Sequence, residues 1–205
     1  MTDRDVKNSE DYSATSLSLL ERAKASDQKA WDRLVTLYSP LVYKWCLKAK
    51  LQPADAEDIG QKVWWSVARN LANFHRDRPD DTFRGWLHTI TVNKIHDLHR
   101  TSTRESITNC TYCRPVLNRA PDDSCDDCVQ EKTLVLHQAL AMIQGDFLEK
   151  TWTAFWRVSM EGQAASTVAA DMQMTTGAVY SAIGRVVARL RQEFAGLLPD
   201  GVLEK

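Results

Sequence analysis

The chain of 205 residues is poor in the residues that interrupt helices, with 8 glycines and 6 prolines. Strand-like alternation is also scarce, which argues against sandwiches and barrels and leaves helical spacing as the main pattern. No apolar run approaches the roughly 20 residues that cross a bilayer, so no membrane insertion is expected. The opening stretch, MTDRDVKNSEDYSATS, has no apolar centre and does not read as a secretory signal. A cytoplasmic protein is expected, where disulfides are not the default use of cysteine. There is no Gly-rich phosphate loop and no nucleophile–base arrangement, so no catalytic residue is assigned and the chain is not expected to be an enzyme. The net charge of −1 does not by itself announce a nucleic-acid binder.

The charge is unevenly placed. Arg84, Lys94, Arg100 and Arg104 share one helical stretch, and Arg185, Arg189 and Arg191 gather near the C-terminus. Asp122, Asp123, Asp126 and Asp127 crowd the segment between them. Two basic regions flanking an acidic one can bind DNA through local fields.

Periodicity predicts five or more helices and an all-α fold. Ser26 or Asp27 is placed to cap a helix carrying Ala30, Trp31, Leu34, Val35 and Tyr38. Pro40 is expected to start a new helix through Leu41, Val42, Trp45 and Cys46. Pro53 opens another, PADAEDIGQKVWWSVARNLANF, with acidic residues in its first turns, where the helix dipole favours them. After the loop HRDRPDDT, FRGWLHTITVNKIHDLHRTSTR forms the next, with Trp86, Leu87, Ile90 and Ile95 turned inward. The expected plan is a polar tail over 1–15, a helical domain over 16–104, an irregular Cys-rich acidic linker over 105–131, a smaller helical domain over 132–198 and a tail over 199–205.

Within the last domain, STVAADMQMTTGAVYSAIGRVVARLR reads as a helix-turn-helix. Val168, Ala169 and Met172 fit the inner face of its first helix. Thr175 or Thr176 caps the second, whose inner stripe is Val179, Ile183, Val186 and Leu190. The second helix of such a unit enters the major groove N-terminal half first. Thr176, Ala178, Tyr180 and Ser181 face outward there, with Arg185 and Arg189 further along for phosphates.

DAEDIGQKVWWSV at 55–67 and FRGWLHTITVNKIHDLHR at 83–100 together resemble region 2 of bacterial RNA polymerase sigma factors of the sigma-70 family. The match is to the extracytoplasmic-function (ECF) subgroup, which keeps only regions 2 and 4. The matching positions are Asp55, Ala56, Glu57, Asp58, Ile59, Gln61, Val63, Trp64, Phe83, Trp86, Leu87, Ile90, Asn93 and Arg100. The helix-turn-helix falls where region 4 belongs. The resemblance implies a transcription initiation factor that binds core RNA polymerase and promoter DNA. Region 2 would melt the minus-ten element and region 4 would bind the minus-thirty-five element. Asp55, Glu57, Asp58, Gln61, Val63 and Trp64 would then form the polymerase-docking helix. Phe74, Arg76, Asn93, Lys94, His96 and Arg100 would supply the pocket and cations for unstacked bases and their backbone. An anti-sigma factor is a further partner that the family often has. The alternative is a metal- or redox-responsive helix-turn-helix regulator that acts without core polymerase.

The linker contains CTYCRPVLNRAPDDSCDDC. Cys110, Cys113, Cys125 and Cys128 approach the spacing of a structural zinc site. The acidic neighbours oppose four gathered thiolates and raise thiol pKa values. No cofactor is required by this reading, and three uses of the cysteines stay open: one zinc ion, a redox dithiol switch, or an ordinary acidic linker.

Overall fold

A computed structural model describes residues 18–75, 82–105, 126–195 and 197–198. Eight α-helices cover them, and no strand occurs among the described residues: α1 (Leu19–Lys24), α2 (Gln28–Lys48), α3 (Pro53–Asn70), α4 (Phe83–Glu105), α5 (Asp126–Ile143), α6 (Glu149–Ser159), α7 (Ala165–Asp171) and α8 (Thr176–Glu193). The fold is all-α, as the periodicity predicts.

The helix starts follow local chemistry. Ser18 and Glu21 close a reciprocal capping box on α1. Asp27 caps α2 by accepting from the Lys29 and Ala30 amides at 2.9 and 3.2 Å. Its carboxyl is held below the usual range by the Arg22 side chain, followed by the hydrogen bond from the Ala30 amide. Pro53 stands in the first turn of α3, where its missing N–H costs nothing.

Pro40 does not start a helix. It lies inside α2, which runs unbroken from Gln28 to Lys48. A proline in a helix interior costs about 3 kcal/mol. Here the buried stripe on both sides of it offsets that cost: Leu34, Leu37, Tyr38, Leu41, Val42, Trp45 and Cys46 recur at three- and four-residue spacing. This stripe is the axis of the main core, and α1, α3, α4 and α5 pack around α2.

An aromatic cluster closes the end of the bundle where α4 begins. Phe83 is fully buried and meets Tyr38, Phe74 and Trp86 at ring-centroid distances of 5.0, 5.7 and 5.7 Å. Phe74 and Trp86 lie 5.0 Å apart. Lys24 of α1 donates to the Phe74 carbonyl at 2.5 Å and lies over its ring.

The stretch expected to be an irregular linker to 131 ends earlier, because α5 begins at Asp126. Glu131 of α5 is buried in the N-terminal core, where Arg84 donates to one oxygen at 2.8 Å and the Trp45 indole N–H to the other at 2.9 Å. Arg84, read from sequence as part of a basic surface, is therefore the buried half of an ion pair. The C-terminal half of α8 joins the same core through Val186, Leu190 and Phe194. The helix-turn-helix keeps its own small core of Ala154, Ala165, Val168, Ala169, Val179 and Ala182. The alanines let α7 and α8 cross closely.

Two outcomes follow. Glu131→Ala removes the acceptor that Arg84 and the Trp45 indole share in the core and is expected to cost about 1–3 kcal/mol in urea unfolding; no measurable loss contradicts the pairing. His88 packs edge-on against Trp45 at 4.9 Å, and burial lowers its pKa from 6.5. Its unfolded form then binds the extra proton first, so this contribution to stability is present above pH 6.5 and is lost as pH falls through the lower folded value. His88→Gln should flatten that part of the stability–pH curve, and an unchanged slope argues against it.

Candidate polymerase and nucleic-acid interfaces

α3 turns one face into the core and the other outward. Ala56, Ile59, Val63 and Val67 are buried, whereas Asp55, Glu57, Asp58 and Gln61 are exposed. Val63, expected on the docking surface, faces inward and supports the helix from behind. Trp64 is half-buried and meets Trp31 of α2 edge-on at 5.9 Å. Between α2 and α3 lies a groove of about 690 Å³, with Trp31, Val42, Tyr43, Gln61, Trp64 and Trp65 among its lining residues. Glu57 and Gly60 also line it, so carboxylate and apolar surface meet there.

Trp65 was missed by sequence reasoning. It is 64% exposed, and the Arg69 guanidinium lies 4.4 Å from the centre of its ring. Two adjacent tryptophans are the available signal, because on one helix they cannot both face the same core.

The second surface is built on α4. Asn93 and Arg100 are exposed, two turns apart on one face, while Lys94 and His96 are half-buried beside them. Asp97 is exposed between Asn93 and Arg100 and tempers the positive field of Arg100. Phe74 is corrected: at 6% exposure, enclosed by Phe83 and Trp86, it cannot stack on a base. Burial in the bundle uses up its faces. Arg76 lies outside the described residues.

The third surface is the N-terminal half of α8. The Thr175 hydroxyl accepts from the Ala178 amide at 3.1 Å and sets the helix start. Thr176, Tyr180, Ser181 and Arg185 are exposed, with Tyr180 at 61%. Ala178, read as outward, is half-buried. The preceding turn uses Gln173 at φ 52, with the Met174 amide reaching back to the Ala169 carbonyl at 2.8 Å. Arg157 of α6 pairs with Asp171 of α7 at 2.6 Å and bonds Gln163 at 2.9 Å, holding the unit in place. Arg189 departs from its expected role: its guanidinium is engaged by Asp146 at 3.0 Å and Glu193 at 3.1 Å and does not project toward a phosphate.

The comparisons with known proteins bear on the first two surfaces. The sigma-70 region 2 family profile matches residues 34–105, which takes in α3, α4 and the groove's lining apart from Trp31. The ECF RNA polymerase sigma factor SigE of Mycolicibacterium smegmatis is 35% identical over 71 residues, covering 35% of this chain and 26% of that protein. Residues 34–105 thus match sigma-70 region 2, and the chain is similar to extracytoplasmic-function sigma factors. The ECF sigma factor BldN of Streptomyces coelicolor is 28% identical over 191 residues, covering 92% of this chain and 67% of BldN. A solved RsbN–BldN complex aligns over 84% of this chain and 97% of that one, at 19% identity and a TM-score of 0.35.

Among the described residues, no three His, Cys, Asp or Glu side chains gather as a metal site, and no helix is long and apolar enough to cross a membrane. Cys110, Cys113 and Cys125 lie outside the described residues, and of Cys128 only its place in the first turn of α5 is described.

The fifth cysteine, Cys46, is buried in α2, and burial pushes its thiol up to about 11. Reactivity needs the thiolate. Cys46 should therefore resist alkylation at neutral pH until the protein unfolds, as mapped by peptide mass spectrometry. Rapid labelling of Cys46 in the folded protein would contradict that placement.

Proposed function

We propose that this protein binds core RNA polymerase and directs it to promoters, opening the minus-ten element with α4 and its neighbourhood and contacting the minus-thirty-five element with α8. The carrying observation is the α3 face: three carboxylates and Gln61 exposed beside a tryptophan-lined groove, inside the segment that matches sigma-70 region 2. Such a face suits a partner helix with both basic and apolar positions. The apolar floor supplies area, and the carboxylates set orientation and approach.

For DNA, Asn93 and Arg100 supply a hydrogen-bonding group and a cation where single strands need them. On α8, Tyr180 and Ser181 are placed to read base edges, with Arg185 as the phosphate contact. An anti-sigma factor is a further partner, expected from the family and suited to the same α2–α3 groove. The two Cys-x-x-Cys pairs supply a donor set fit for one zinc ion. Stoichiometric zinc that a chelator removes is the expected result for that site; its absence leaves a redox dithiol switch or an ordinary acidic linker.

Run-off transcription with core polymerase on a promoter library tests the whole reading. Asp58→Ala with Gln61→Ala should weaken capture of core polymerase about tenfold, the equivalent of about 1.4 kcal/mol. Tyr180→Ala with Arg185→Ala should leave capture intact and lower initiation. A wild-type chain that binds DNA as a dimer but never captures core polymerase would favour a free-standing regulator.

A further inference from the structure

The groove between α2 and α3 is uneven along its length. It follows residues 31–43 of α2 and 56–68 of α3, ~18 Å of each helix at 1.5 Å per residue. Trp31, near the start of α2, meets Trp64, well into α3, so the two helices run antiparallel. Trp31, Trp64 and Trp65 therefore wall one end of the groove and Tyr43 the other. Between them lie Val35, Ser39 and Gly60.

Gly60 is the residue that the fold does not explain. Glycine is the poorest helix former after proline, and Gly60 stands well inside an 18-residue helix. A helix needs glycine where a side chain would collide. At Gly85 of α4 a Cβ would come within 3.2 Å of the Thr82 hydroxyl oxygen, which accepts from the Gly85 amide. At Gly60 a Cβ would meet none of the described residues within 4 Å. Gly184 of α8 is equally open, but it lies on an exposed surface. Gly60 is half-buried, so its surroundings shade it without touching it. That combination describes a pit in the groove floor.

The surroundings of the pit set what fits it. Its walls are indole rings and a phenol ring, so a suitable occupant is apolar and large enough to reach them. Glu57 and Gln61 also line the groove, and over residues 55–62 three carboxylates stand against one cation, Lys62. Basic residues beside the apolar one suit such a rim. The chain's own first residues match it poorly: over 1–17, Asp3, Asp5, Glu10 and Asp11 outnumber Arg4 and Lys7.

We infer that Gly60 is a specificity-determining residue of the α3 docking face. It keeps open a socket that receives one large apolar side chain, flanked by Lys or Arg, from a helix of core RNA polymerase. The socket presupposes the docking role proposed above and adds to it the point where shape, not charge, selects the partner.

Full-length Gly60→Ala and Gly60→Leu are compared with wild type in urea unfolding and in affinity for core polymerase. Thr36→Leu, exposed on α2 outside the groove, controls for added apolar surface. A side chain at 60 enters open space and improves the helix, so the unfolding midpoint of both Gly60 variants should hold or rise. Affinity should move the other way, falling about threefold in Gly60→Ala and about tenfold in Gly60→Leu, with Thr36→Leu unchanged. Folded Gly60→Leu that binds as wild type does overturns the socket, and so does an equal loss in Thr36→Leu. Should Gly60→Leu fail to fold, Gly60→Ala decides alone, and wild-type affinity in it overturns the socket. If removing residues 1–17 raises capture by wild type but not by Gly60→Leu, the chain's own N-terminus fills the socket and the partner is overturned. A wild-type dimer that Gly60→Leu converts to a monomer assigns the socket to a second copy, with the same consequence. Wild type that never captures core polymerase refutes the docking role itself and the socket with it, an outcome read on the wild type alone.

Discussion

A carboxylate in a protein core is tolerated only when its partners are fixed, and Glu131 imposes that condition on the whole N-terminal half. Its oxygens take hydrogen bonds from Arg84 on α4 and Trp45 on α2, so three helices must meet in one register. His88 lies against the same Trp45. Once α2, α4 and α5 are locked in this way, Phe83 falls into the aromatic cluster and α3 is left as the outer wall. The exposed acidic face of α3 thus depends on a buried acid elsewhere.

The two kinds of surface follow from this arrangement. The α2–α3 groove joins carboxylates to indole rings, which suits a protein partner. The faces on α4 and α8 carry amide, hydroxyl and guanidinium groups on rigid helices, which suits a polyanion. Their net charge is modest, because Asp97 tempers one face and Arg189 is withdrawn from the other. Local arrangement, not total charge, distinguishes them, in keeping with a chain whose net charge is −1.

Much of this was legible in the sequence where the cause is local. Asp27, Pro53 and Thr175 announce helix starts because caps act within one turn. Most of the outward faces of α3 and α8 follows from spacing, though Val63 and Ala178 were read as outward and turn wholly or partly inward. Pro40 misled because a propensity of a few kcal/mol was set against a tertiary stripe that the local pattern does not weigh. Arg84 and Arg189 looked like surface cations because their partners, Glu131 and Asp146, lie 47 and 43 residues away. Phe74 looked available because nothing before it in sequence predicts that Phe83 and Trp86 enclose it. The groove beside Trp65 exists only once α2 and α3 pack.

The central claim is that the α3 face and its groove dock a helical element of core RNA polymerase. Hydrogen exchange measured on the free protein and on its mixture with core polymerase tests that contact most directly. The account predicts slowed exchange along residues 53–65 and in the facing part of α2 around Tyr43, with the stripe buried in α2 unchanged. Protection confined to α8, or none in α3 under conditions where the complex forms, would contradict it.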